Sequence, residues 1–222
     1  MYLEKSKIHD ILSRMKKPFP IKAIISDLGR VFIDFDHNIS CGKIAALAGC
    51  SIEEVHDYIY HKKIDIKLDR GELPPEKFYR IVKTRFKLNI SYKEFKELFA
   101  GIFTLITPVY RLYMKLKKNY KIVYLSNTNR IHLESCLKNM PLKKAFKNIF
   151  EKGVASYKEG IMKPHPRIYL KAVNLTGCRP EECVYIDDIF EFVDAARALG
   201  LKGIQFRSGK QSARELRKLG VK

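Results

Sequence analysis

The chain has 222 residues, of which 46% are hydrophobic and 30% charged. That length suits one substantial domain, or a core with a smaller insertion, and the composition excludes an intrinsically disordered protein. The formal net charge is +19, but the basic residues are spread through "MKLKKNYK", "LKKAFKNIFEK" and "ARELRKLGVK". Such a charge can serve nucleic acid, an anionic membrane or a phosphorylated substrate, but with no zinc finger, aromatic single-strand motif or basic recognition helix beside it, specific nucleic-acid binding is not expected. A solvated basic surface with some attraction for anionic ligands is expected instead.

Residues 1–20 place Ile8, Ile11, Leu12 and Met15 at helical spacing among charges, which predicts a short docking helix. They lack the continuous apolar segment of a secretion signal, and no stretch is long enough to cross a bilayer. A cytoplasmic protein without membrane contact is expected. Cys41, Cys50, Cys136, Cys178 and Cys183 are odd in number and show no C-x-x-C spacing. They read as reduced thiols acting as small apolar residues.

Lys22 to Asp27 is the first of five apolar runs that read as strands. The others are Lys121 to Ser126, approximately Phe150 to Ser156, Cys183 to Asp187, and Gly203 to Phe206. Runs of this kind, separated by helical patterns, predict an α/β fold with a Rossmann-like parallel sheet buried on both faces. From about Phe35 to Thr107 no convincing core strand appears. "SIEE" and "SYKE" fit the capping box, which predicts helices after Ser51 and Ser91. Pro74 and Pro75 suit the start of a third helix through Phe78, Ile81 and Val82. Pro108 and Pro166 open further helices, and Gly200 closes the one in "EFVDAARALG". The division is therefore a helical extension at 1–20, an α/β core at 21–34 and 108–222, and an inserted all-helical cap at 35–107.

Three strands end in reactive residues: Asp27, Ser126 and Asp187. In open parallel sheets ligands bind beyond the carboxyl ends of the strands, and right-handed crossovers keep those ends on one side. Each residue alone is more often a helix cap or a turn residue. Three together, with Lys163 in the rigid K-P-H-P turn, favour a shared pocket.

The segments "IISDLGRVFID", "IVYLSNT", "GIMKPHPRIY" and "VYIDDIFEFVDAARALG" resemble, in order, the four motifs of the haloacid dehalogenase superfamily. The helical insertion resembles the C1 cap of its subfamily I. The D-L-G-x-V pattern is similar to a branch with glucose-1-phosphate phosphatase-like members. The resemblance implies a hydrolase that removes phosphate from a small molecule. Asp27 would be the nucleophile, passing through an aspartyl phosphate. Asp27, the backbone carbonyl of Gly29, Asp187 and Asp188 would hold Mg²⁺. Ser126 and the backbone N–H of Asn127 would bind the transferring group, and Lys163 would neutralise charge. Asp188 could equally cap the following helix, and Asn127 could be a turn residue. His37, Asn38 and Arg70 are candidate substrate contacts, although such residues are more often ordinary loop residues.

The chain departs from the pattern at two places. Phosphatases of this superfamily mostly carry Asp two residues after the nucleophile, as the leaving-group acid and later the base. Gly29 keeps the carbonyl and lacks that carboxylate, whose contribution is typically ~10²–10⁴ in rate. A sugar phosphate leads as substrate class, followed by a nucleotide or another small phosphoester. The alternative is a weakly active protein that binds a phosphorylated ligand or a protein partner. Asp34 is a conceivable substitute acid but fits better as a hinge residue. In the last motif, Phe192 stands where Asn is common, which bears on the placement of Lys163 or Asp187. Dehalogenation fits poorly, because those enzymes work without metal and would leave the Asp187–Asp188 pair without a purpose.

Overall fold

The computed structural model describes residues 19–222, so the helical extension expected at 1–20 lies almost wholly outside the described residues. Its strands are β1 (Ala23–Ser26), β2 (Ile33–Phe35), β3 (Phe103–Leu105), β4 (Lys121–Ser126), β5 (Gly153–Ala155), β6 (Cys183–Asp187) and β7 (Lys202–Gln205). Five of them form one sheet in the order β5-β4-β1-β6-β7, with every neighbouring pair parallel. β1 is central, so Ala23 lies beside both Lys121 and Cys183.

The continuous apolar runs follow from burial on both faces. Ile24, Ile122, Val184 and Ile186 pack to one side with Val109, Tyr113, Phe146 and Phe150. Ala23, Ile25, Val123 and Tyr185 pack to the other with Ile168, Tyr169 and Ala172. The third run is shorter than the sequence suggests, because Ser156 already begins a helical turn. Gly153 sits beside Tyr124 in the ladder, where a Cβ would come 2.2 Å from the Tyr124 ring.

The helices between β2 and β3 are α1 (His37–Ala48), α2 (Ile52–His56), α3 (Ile64–Asp69), α4 (Pro75–Phe86) and α5 (Tyr92–Ala100). They enclose a separate core of Ile44, Val55, Ile59, Phe78, Val82, Phe95 and Phe99. Ser51 caps α2 by accepting from the Glu54 N–H at 3.1 Å. Ser91 and Glu94 complete a reciprocal capping box on α5. Two features were not legible. Asp57–His61 forms a π-helical turn, and β2 pairs antiparallel with β3 outside the main sheet. Strands of three residues are too short to display a period.

The remaining helices are α6 (Thr107–Leu116), α7 (Arg130–Lys138), α8 (Leu142–Ile149), α9 (Ser156–Glu159), α10 (Pro166–Thr176), α11 (Phe190–Ala198) and α12 (Gly209–Lys218). Prolines sit in the first turns of α6 and α10, where a missing N–H costs nothing. α11 ends at Ala198, and Gly200 follows at φ 90° with its N–H on the Arg197 carbonyl at 2.9 Å. Among the described residues no helix is long and apolar enough to cross a membrane, and the five cysteines are free thiols.

Candidate active site

The site forms at the carboxyl ends of β1, β4 and β6. Asp27 follows β1 directly, its N–H held by the Ile186 carbonyl at 2.8 Å. Asp187 ends β6 and is fully buried. The Lys163 ammonium lies 2.9 Å from Asp27 Oδ1 and 2.7 Å from Asp187 Oδ2. Asp187 is fixed further by the Tyr185 hydroxyl on Oδ2, and its Oδ1 accepts from the Ile189 N–H at 2.9 Å.

Lys163 is held from every side. Its N–H donates to Asn127 Oδ1 at 2.8 Å, and Asn127 Nδ2 donates back to the Lys163 carbonyl at 3.1 Å. The Asn127 side chain thus ties the residue after β4 to the turn bearing the lysine. The Lys163 ammonium also faces the Phe192 ring, 5.0 Å from its centroid. Phe192 therefore meets Lys163 through its π face, where Asn would have offered an amide.

Two buried carboxylates share one ammonium. Burial raises the Asp27 carboxyl above its ordinary range, against the pull of Lys163. Burial by itself would lower Lys163, but Asp27 and Asp187 outweigh it and hold the ammonium above its usual value. Asp188 is half-buried and also raised, first by burial and then by Asp187. One oxygen each from Asp27, Asp187 and Asp188 lie within 4.8 Å of one another. The donors are hard carboxylate oxygens with excess negative charge, which fits a small hard dication. Asp188 provides no side-chain cap for α11, because the flanking residue is Ile189 and it has no such bond.

A cavity of about 150 Å³ opens between this end of the sheet and the helical insertion. Gly29, Ser126 and Asn127 line its floor, and His37, Tyr60, Asp65, Asp69 and His132 are among its other walls. Of the three substrate contacts named from sequence, His37 lines this cavity, with Nδ1 2.9 Å from the Tyr60 hydroxyl. Asn38 lies on a separate surface groove. Arg70 is outside the lining, exposed, and 3.7 Å from Glu72. Asp34 is half exposed and pairs with Arg30 at 2.7 Å.

Tyr60, Asp65, Asp69, Asn129 and His132 were not found by motif. Asn129 offers only the signal of a helix cap, and it does accept from the His132 N–H at 3.0 Å. Its Nδ2 also donates to Asp69 Oδ1 at 2.9 Å, a contact across 60 positions that no local pattern carries.

The comparisons agree with this geometry. Residues 21–200 match the family model described as haloacid dehalogenase-like hydrolase. The D-ribitol-5-phosphate phosphatase of Bacteroides thetaiotaomicron is 24% identical over 88% of this chain and 97% of its own. A glyceraldehyde 3-phosphate phosphatase of Pyrococcus furiosus is 33% identical, over 31% of this chain and 29% of its own. Among solved structures, a haloacid dehalogenase-family enzyme of Bacteroides thetaiotaomicron in complex with magnesium and inorganic phosphate superposes with a TM-score of 0.73. It is 26% identical and covers 85% of this chain and 95% of its own. The sheet, the inserted helices and the matched residues lead to one assignment: the chain belongs to the haloacid dehalogenase-like hydrolases.

Proposed function

We propose that this hydrolase is a phosphatase that releases inorganic phosphate from a small phosphorylated sugar or polyol, with Asp27 as nucleophile and Mg²⁺ as cofactor. The observation that carries the reading is the Lys163 ammonium joining Asp27 and Asp187 at the strand ends, beside Ser126 and the loop that follows it. The small-molecule relatives named above support the substrate class.

Asp27, Asp187 and Asp188, with the Gly29 carbonyl, would hold Mg²⁺, which would screen the carboxylates and draw the phosphate oxygens toward them. An Asp27 carboxylate oxygen attacks phosphorus and forms an aspartyl phosphate. The Ser126 hydroxyl and the Asn127 N–H donate to the phosphoryl oxygens. The Lys163 ammonium balances the charge gathering there. Asp187, fixed by Tyr185 and the Ile189 N–H, keeps that ammonium aimed at Asp27. Water then cleaves the phosphoenzyme. Among the candidate substrate contacts, His37 belongs with the leaving group.

The test is phosphate release from D-ribitol 5-phosphate and from an aryl phosphate, with and without Mg²⁺. Asp27→Asn is expected to abolish Mg²⁺-dependent release from both. Unchanged release in that variant would remove Asp27 from the chemistry. A second reading, a protein that binds a phosphorylated ligand and turns over feebly, draws on Gly29. Wild-type protein inert toward the aryl ester, which needs no leaving-group acid, would favour it.

A further inference from the structure

We propose that Asp69, carried by the inserted helices, is the acid that protonates the leaving group in place of the carboxylate that position 29 lacks; this rests on the phosphatase reading above. Position 29 itself offers no route. A Cβ there would come 2.9 Å from Phe35 Cε1, so the Phe35 ring occupies the space that an acidic side chain would need. Asp34 is drawn away by Arg30.

The acid must therefore come from the cavity that Gly29, Ser126 and Asn127 share with the helical insertion. Its titratable lining groups are His37, Tyr60, Asp65, Asp69, His132 and Cys136. Burial lowers His37 to about 4 and His132 to about 3, so both rings are neutral near pH 7. Burial lifts the Tyr60 phenol far above its ordinary value and the Cys136 thiol to about 12, too high to give up a proton readily. Burial raises the Asp65 carboxyl too, but its Oδ1 is sealed without a partner, and among the described residues no side-chain hydrogen bond ties Asp65 to the loop after β4. Asp69 remains. Burial raises its carboxyl to about 7, with the Asn129 hydrogen bond opposing and the Asp65 charge adding to the rise. A carboxyl poised there can both hold and release a proton at neutral pH.

The chain also fixes where Asp69 stands. Asn129 Nδ2 donates to its Oδ1 at 2.9 Å, three residues beyond Ser126. The Ser156 hydroxyl lies 2.6 Å from the Asp69 carbonyl and accepts from the Thr128 N–H at 2.9 Å. Gly71, at φ 71°, then brings the turn so close to the core that a Cβ would meet the Tyr157 carbonyl at 2.3 Å. Asp69 is thus docked onto the loop after β4, the loop that would grip the phosphoryl group.

The step balances. An Asp27 oxygen bonds to phosphorus, the phosphorus–oxygen bond to the leaving group breaks, and its electron pair stays on that oxygen. The Asp69 proton moves to the same oxygen and leaves a carboxylate. In the second step Asp69 takes a proton from water, and the resulting hydroxide attacks phosphorus. The bond to Asp27 breaks, and both aspartates return to their starting states.

The experiment compares Asp69→Asn with wild type, both with Mg²⁺, on D-ribitol 5-phosphate and 4-nitrophenyl phosphate. The alkyl alcohol needs a proton to depart; the nitrophenolate does not. In a single turnover, Asp69→Asn is expected to slow release of the alcohol from the polyol ester by roughly 10²-fold or more, while release of nitrophenolate from the aryl ester, which precedes the water step, stays within about threefold. The wild-type rate on the polyol ester should fall as pH rises through the Asp69 range, and this limb should be missing in the variant. Equal losses on both esters, as a merely structural role would give, or no loss on the polyol ester would overturn the assignment. Wild-type protein inert toward both esters would remove the phosphatase reading itself, and this role with it.

Discussion

Position 29 illustrates how one side chain answers for another. Phe35 packs where a residue at 29 would extend, and it also stacks under the Arg30 guanidinium at 4.6 Å and faces His37 at 4.9 Å. Gly29→Asp therefore does not simply restore a missing acid. It must first displace a ring held by Arg30 and His37. The expected outcome is a lowered Tm and no gain in turnover of D-ribitol 5-phosphate; a rise of ~10-fold or more in kcat would show that the ring yields easily. Asp27, the proposed nucleophile, drew notice in the sequence because a buried strand that ends in a carboxylate needs a reason, and Asp187 repeats the oddity. Asp69 and His132 were not legible. Each sits inside an ordinary helical pattern, and their meaning comes only from the Asn129 amide that touches both.

Elements were legible in proportion to their punctuation. Prolines and capping serines marked the starts of α2, α4, α5, α6 and α10, and strand burial marked four of the five core strands closely. The third run misled, since Phe150 and the residues after it belong to packing and a bend before the short β5 begins. Gly153 explains the local geometry. The Tyr124 ring lies over it, and a methyl group there would be driven into that ring at 2.2 Å. Gly153→Ala is expected to cost ~1–3 kcal/mol by overpacking, read as a lowered midpoint in urea. The double variant with Tyr124→Leu should recover part of that loss. If the two losses simply add, the ring is not the obstacle.

Across the whole molecule, charge is distributed against its average. The chain carries +19, yet among the described residues no Lys or Arg lines the cavity between core and insertion. The buried ion cluster concentrates the opposite sign, with three carboxylates set against Lys163. Removing the ammonium leaves carboxylates buried without a counterion, which typically costs about 3–5 kcal/mol. Lys163→Met is accordingly expected to lower Tm markedly in a metal chelator and to regain part of it in Mg²⁺, because a cation that binds only the folded state stabilises by mass action. A Tm of that variant indifferent to Mg²⁺ would count against a cation site among these carboxylates.

The β2–β3 ribbon brings the two crossings of the chain together, with Ile33 beside Leu105 and Phe35 beside Phe103. An excursion whose departure and return are neighbours can be exchanged as a cassette. Phe35 and Phe103 could be bridged by a tight two-residue hairpin turn with the parallel sheet left uncut. Were Asp69 the proton donor, such a graft would carry away both the choice of alcohol and the means of releasing it, while Asp27, Lys163 and Ser126 stayed behind. Descent could then alter what is cleaved by trading one contiguous block of sequence.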